Sequence, residues 1–136
     1  MILVDTGAWY ALSDPRDRNS ASAIAAWDQV RTGEYGRALA TDYILDETYT
    51  LLRMRLGVRA VRAFRDRVVR SGNLRIVRVS ERDFEDALDM LVAHDDKRWS
   101  LTDCTSFLLM RQLSIGSAFS FDRNFREAGF RLLPAD

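Results

Sequence analysis

Ile2-Leu3-Val4-Asp5 and Ala118-Phe119-Ser120-Phe121-Asp122 are two short, largely apolar runs, each closed by an aspartate. Runs of this length read as strands buried on both faces, and such strands belong to parallel sheets covered by helices. An acid at the end of each places two carboxylates at the C-terminal edge of one sheet. Open parallel sheets bind their ligands at that edge.

The rest of the chain alternates helical and extended patterns. After Asp5 a short helical stretch stops at Asp14-Pro15-Arg16-Asp17. A second helix starts near Asn19 or Ser20, with Ile24, Trp27 and Val30 at helical spacing, and ends around Thr32-Gly33. Residues 38–41 suggest a strand and residues 43–57 a helix closed by Gly57. Residues 58–71 put Val58, Val61, Phe64 and Val68 on one helical face. Residues 74–79 alternate partly like a strand. Ser80 and Asp83 then open a helix carrying Phe84, Leu88, Leu91 and Val92. Residues 101–113 predict another helix, 117–121 a strand and 131–133 a last short strand. This βαβ rhythm predicts an α/β fold, one domain over residues 1–136 with a central parallel sheet flanked by helices.

Composition narrows the function classes. No apolar run approaches the ~20 residues that span a bilayer, and the N-terminus lacks the basic flank of a signal peptide, so no membrane role and a cytoplasmic location are expected. The single cysteine, Cys104, excludes an internal disulfide and suits a reducing compartment. It reads as a small buried side chain, because the only histidine, His94, lies in a polar stretch and offers it no base. Twenty basic residues balance twenty acidic ones, which argues against indiscriminate nucleic-acid binding. The distribution is uneven, however. Ten arginines fall between Arg53 and Arg82, followed by six acids between Asp83 and Asp96. These segments read either as solvated, mutually paired helical faces or as a surface that tracks nucleic-acid phosphate, since guanidinium binds phosphate bidentately.

Two further acids join Asp5 and Asp122. Ile44, Glu47 and Leu51 share one face of the helix at 43–57, whereas Asp42, Asp46, Thr50 and Arg53 share another. Glu47 is therefore expected to be buried and Asp46 solvated. A buried carboxylate needs a partner, either an arginine or a metal ion shared with the other acids. Asp103 lies in the first turn of a helix that Ser100 can cap; alone, it is accounted for by the helix dipole. Four converging carboxylates repel one another and raise each other's pKa values, a conflict that a divalent ion removes. Magnesium or manganese suits an all-oxygen site, whereas zinc lacks its usual histidine and cysteine ligands. One such ion polarises a phosphoryl oxygen and activates water, and two set ~4 Å apart steady both attacking and leaving oxygens. Phosphodiester hydrolysis is the natural reaction.

At this point the sequence resembles the PIN-domain family, in particular the VapC-like toxins of bacterial toxin–antitoxin pairs. The resemblance rests on four blocks in order. They are Val4-Asp5-Thr6-Gly7-Ala8-Trp9-Tyr10-Ala11-Leu12, Thr41-Asp42-Tyr43-Ile44-Leu45-Asp46-Glu47-Thr48, Trp99-Ser100-Leu101-Thr102-Asp103-Cys104, and Phe119-Ser120-Phe121-Asp122-Arg123-Asn124-Phe125 with Ala128-Gly129-Phe130. It implies an acidic quartet of Asp5, Glu47, Asp103 and Asp122 that holds Mg2+ or Mn2+ and cleaves RNA to 5′-phosphate and 3′-hydroxyl ends. It also implies a homodimer and a VapB-like antitoxin partner that covers the acidic cleft. Thr6 and Thr102 are implied to orient ligands or water, or else to cap helices. Arg123 and Asn124 stand close enough to the last acid to touch a scissile phosphate, or to form a turn. Trp9, Tyr10 and Trp27 read as core aromatics in preference to interface residues.

Two rival readings remain at this level. A degenerate, non-catalytic RNA-binding or regulatory module on the same fold is opposed by the complete quartet. A phosphoryl-accepting receiver, or a dehalogenase-like phosphatase with Asp5 as nucleophile, wants a well-placed lysine; the chain's only one is Lys97, and Gly7 stands where the dehalogenase type needs a second aspartate. Arg59, Arg62 and Arg65 are the candidates for an RNA-binding surface, while the identity of the RNA is not legible.

Overall fold

Every strand is short and every connection between strands is helical. The strands β1 (Ile2–Val4), β2 (Ala38–Thr41), β3 (Leu74–Val77), β4 (Ser117–Phe119) and β5 (Arg131–Leu133) are interleaved with seven helices among the described residues. These are α1 (Thr6–Ser13), α2 (Ser20–Arg31), α3 (Asp42–Arg55), α4 (Val58–Arg70), α5 (Glu81–Ala93), α6 (Leu101–Gln112) and α7 (Arg123–Glu127). The structure, a computed structural model, describes residues 1–135.

The five strands form one sheet in the order β3-β2-β1-β4-β5, with every pair parallel. β1 and β2 are buried throughout, whereas the edge strands β3 and β5 each carry an exposed arginine. Leu3 lies opposite Leu39 on one side and Ala118 on the other. The chain runs outward from β1 through β2 to β3, then returns to place β4 and β5 on the opposite side. The β1/β4 pair is therefore the topological switch point, where a crevice opens beyond the strand ends.

Right-handed crossovers put α1–α4 on one face of the sheet and α5–α7 on the other. Each layer has its own aromatic cluster. Trp9 packs against Trp27 and Phe64 at 5.2 and 5.3 Å between ring centroids, with Tyr49 5.1 Å from Phe64. On the opposite face Phe107 meets Trp99 and Phe125, each at 5.0 Å. Trp9 and Tyr10 are thus core residues and Trp27 is partly buried against them. Cys104 is buried and unpaired. Gly57 has φ +90 and its N–H donates to the Leu52 carbonyl at 3.0 Å, a left-handed stop at the end of α3 that a Cβ disfavours.

Several expectations need correction. In α2 the buried face is Ala23, Ala26 and Val30, while Ile24 is 59% exposed. Small residues let this helix approach the core closely, so the bulky side chain turns outward. In α4 only Phe64 is fully covered and Val58 is exposed, and in α5 Val92 is exposed while Ala87 is buried. β3 ends at Val77 and β4 at Phe119, each two residues short of the expected span. The helix α7 was not anticipated, because its five residues are too few to show a period. No helix among the described residues is long and apolar enough to cross a membrane.

Candidate active site

The crevice beyond β1 and β4 is a cavity of about 830 Å³ lined by Asp5, Glu47, Asp103 and Asp122 together. Four elements deliver them. Asp5 follows β1, with its N–H bonded to the Phe119 carbonyl at 3.0 Å, and it is the N-cap residue of α1. Its carboxylate does not cap that helix. Instead Oδ2 accepts a hydrogen bond from Ser120 Oγ at 2.9 Å. The same buried Ser120 Oγ accepts from the Asp122 N–H at 3.0 Å, so one hydroxyl ties the ends of the two central strands. Ser120 is a residue that sequence reasoning missed; the signal was a polar side chain inside an otherwise apolar run.

Asp122 does not stand directly at a strand end, because β4 stops at Phe119. It is the N-cap of α7, and its Oδ1 accepts from the Asn124 N–H at 2.9 Å. Asp103 occupies the third position of α6 in a reciprocal capping box. Ser100 Oγ accepts from the Asp103 N–H and Asp103 Oδ2 accepts from the Ser100 N–H, both at 3.0 Å. Asn124 Nδ2 spans the two acids, donating to Asp103 Oδ2 at 3.1 Å and Asp122 Oδ2 at 3.4 Å. A single amide therefore bridges carboxylates 19 residues apart in the chain.

Glu47 corrects the expectation of burial, since its side chain is exposed where it lines the cavity. The buried stripe of α3 is Ile44, Thr48 and Leu52. Thr48 takes the interior place because its hydroxyl is satisfied by donating to the Ile44 carbonyl at 2.7 Å, leaving a methyl to pack. Asp46 is exposed, as expected. Thr6 lines the cavity and its hydroxyl reaches the Ile44 carbonyl at 3.5 Å. Thr102 lines two neighbouring depressions instead. Arg123 and Asn124 both line the main cavity. Arg59, Arg62 and Arg65 lie on α4, outside that lining. Two arginines that the sequence did not single out, Arg18 and Arg98, are in it.

The electrostatics are unfavourable for carboxylates. Burial pushes the Asp5 carboxyl up to about 7, opposed by the Ser120 hydrogen bond and reinforced by the charges of Asp103 and Glu47. Asp103 is also raised, first by burial and further by Asp122, against hydrogen bonds from Ser100 and Asn124. The ion pairs among the described residues, Arg16–Asp14, Arg31–Asp28, Arg82–Asp86 and Lys97–Glu127, involve none of the four. An all-oxygen donor set in which two of the four acids are pushed up by burial and by neighbouring carboxylates fits a hard divalent cation. As the side chains stand, no three His, Cys, Asp or Glu among the described residues converge closely enough to hold one. Loading would require side-chain movement, and Glu47 and Asp122 are the exposed members of the four.

A five-stranded parallel sheet with an acidic crevice at its switch point defines the class, and the chain belongs to the PIN-domain family, whose model matches residues 2–131. The chain is 37% identical over 131 residues to the 23S rRNA-specific endonuclease VapC20 of Mycobacterium tuberculosis, covering 96% of this chain and 95% of that protein. It is 29% identical over 124 residues to a VapC ribonuclease of Archaeoglobus fulgidus, covering 90% and 78% respectively. The crystal structure of M. tuberculosis VapC20, described as a sarcin–ricin-loop-cleaving toxin, superposes with a TM-score of 0.85 at 34% identity over 96% of both chains. FitAcB from Neisseria gonorrhoeae shares the fold, with a TM-score of 0.66 at 16% identity over 97% of this chain and 96% of that one.

Proposed function

We propose that this chain is a metal-dependent endoribonuclease, the toxin of a toxin–antitoxin pair, that hydrolyses RNA phosphodiester bonds through Asp5, Glu47, Asp103 and Asp122. The observation that carries this reading is the meeting of all four carboxylates on one cavity at the switch point, outside the ion pairs Arg16–Asp14, Arg31–Asp28, Arg82–Asp86 and Lys97–Glu127 seen among the described residues. Mg2+ or Mn2+ held there supplies Lewis-acid polarisation of the phosphoryl oxygen and activation of water. The side chains divide the remaining work. Ser120 and the α6 capping box fix where Asp5 and Asp103 present their oxygens. Exposed Glu47 is the adjustable arm, reaching in from the middle of α3. His94 does not line the cavity; its Nδ1 lies 2.8 Å from the Met90 carbonyl and its ring stacks 4.6 Å from that of Trp99, so no imidazole base serves the site.

The substrate we propose is a structured ribosomal RNA loop cut to 5′-phosphate and 3′-hydroxyl ends, supported by the 37% identity to a 23S rRNA-specific endonuclease. Such a protein acts in the cytoplasm and needs restraint there, hence a VapB-like antitoxin. Exposed Met54 and Val69 offer apolar surface for that partner or for a homodimer.

The test is transcriptome-wide mapping of new 5′-phosphate ends after brief expression of the wild type, Asp5→Ala and Asp103→Ala. Discrete ends made by the wild type and lost in both variants, with melting curves showing that both fold, are expected. Near wild-type cleavage by either variant overturns the assignment of the quartet.

A further inference from the structure

Arg18, Arg98 and Arg123 line the same cavity as the four carboxylates, yet among the described residues none of them pairs with an acid. They come from three separate segments: the α1–α2 connection, the α5–α6 connection and the first position of α7. All three side chains are exposed, while the backbone beneath each is anchored. Around Arg18, Asp14 Oδ1 accepts from the Arg16 N–H at 3.0 Å and Asp17 Oδ1 accepts from the Asn19 N–H at 2.8 Å, folding the loop into successive tight turns. Arg98 precedes buried Trp99 and the Ser100 capping box. Arg123 is flanked by the Asp122 cap and lies two residues before fully buried Phe125.

Resting on the ribonuclease reading above, we infer that Arg18, Arg98 and Arg123 form a phosphate-gripping rim that holds the RNA backbone across the acidic cavity. Four carboxylates alone would repel a polyanion from the place where it must be cut. Three guanidinium groups on the same lining bring the formal charge of the four acids down to a single net negative charge, and a divalent cation then turns it positive. Guanidinium is the fitting group, because it binds phosphate oxygens bidentately and stays charged at any working pH. Fixed backbones with free side chains also leave room for the irregular backbone of a looped RNA. The arginine-rich α4 has the larger charge but does not reach the cavity. These arginines are positioning residues, with no part in the chemical step.

The experiment measures binding of a fluorescein-labelled RNA hairpin by anisotropy across a salt series, in Ca2+ with gels confirming that the probe stays intact. Arg18→Ala, Arg98→Ala and Arg123→Ala, singly and together, are compared with a triple Arg59→Ala, Arg62→Ala, Arg65→Ala control on α4. Each cavity variant is expected to weaken binding about 5- to 10-fold at low salt. The triple cavity variant should lower the slope of log K against log[salt] by about 2, at roughly 0.7 per single-strand phosphate contact. Multiple-turnover cleavage should show the loss mainly in KM, whereas damage to the folded site would lower kcat. An unchanged slope in the cavity triple, or a drop confined to the α4 triple, overturns the rim while leaving the ribonuclease intact. A wild type that neither binds nor cuts RNA removes both readings.

Discussion

Replacing Asp5 by asparagine should flatten the pH dependence of stability, and the size of the effect follows from where the carboxyl sits. Burial raises the Asp5 carboxyl from 3.8 to about 7 in the folded protein. Between those values the folded state binds more protons than the unfolded one, so the stabilisation is complete below pH 4 and is lost as pH rises through about 7. Three units at about 1.4 kcal/mol each make ionisation of Asp5 cost roughly 4 kcal/mol when complete. Between pH 5 and pH 8 the wild type should therefore lose about 2–3 kcal/mol through this one group. Asparagine removes the titration and keeps an oxygen that can accept from Ser120 Oγ. Urea unfolding of both proteins in EDTA at half-unit pH steps gives the difference curve, in which the other titrating groups largely cancel. Asp5→Asn should be the more stable protein at pH 8, with its advantage shrinking toward pH 5. Parallel curves for the two proteins would falsify the claim that Asp5 is an unrelieved buried charge.

The same geometry carries two further expectations. Ser120→Ala should destabilise the ion-free protein by about 1–3 kcal/mol, more at pH 8 than at pH 5, because it removes the hydroxyl that stabilises ionised Asp5 and braces the Asp122 turn; an equal loss at both pH values in urea melts would make the role packing alone. Mn2+ at a hundredfold its dissociation constant should stabilise the wild type by about 2.7 kcal/mol, read as a rise in melting temperature. That rise should be largely absent in Asp5→Asn and Asp103→Asn, and its persistence in both would place the ion elsewhere.

Much of the architecture was legible because buried parallel strands are continuous apolar runs and helices between them carry caps. Ser80 and Ser100 were readable as helix starts, and each accepts the N–H three residues on, from Asp83 and Asp103. Strand order was not readable, since it depends on which crossovers pack and not on any local pattern. Glu47 was misplaced because a threonine with an internally satisfied hydroxyl counts as polar in a periodicity reading and as apolar in a core. Arg18 and Arg98 escaped notice for the opposite reason to the arginines of α4. They are isolated in loops, and only the tertiary fold brings them to one cavity.

The placement of the acids explains how the fold sustains them at all. Asp5 and Asp122 are N-cap residues and Asp103 sits in the first turn of α6, so three of the four carboxylates meet the positive end of a helix dipole. Each such placement offsets about 0.3–1 kcal/mol, up to ~2 when partly buried. That falls short of the roughly 4 kcal/mol that ionised Asp5 costs. The balance has to come from elsewhere in the molecule, notably from the two aromatic clusters packed on the faces of the sheet. Glu47 has no helix N-terminus to rest on, lying in the middle of α3, and its side chain, like that of Asp122, is left to water. Asp5 and Asp103 are thus pre-placed at an energetic cost, whereas Glu47 and Asp122 stand exposed at the rim. This division is what a site needs if it is to close around a cation without rearranging the backbone.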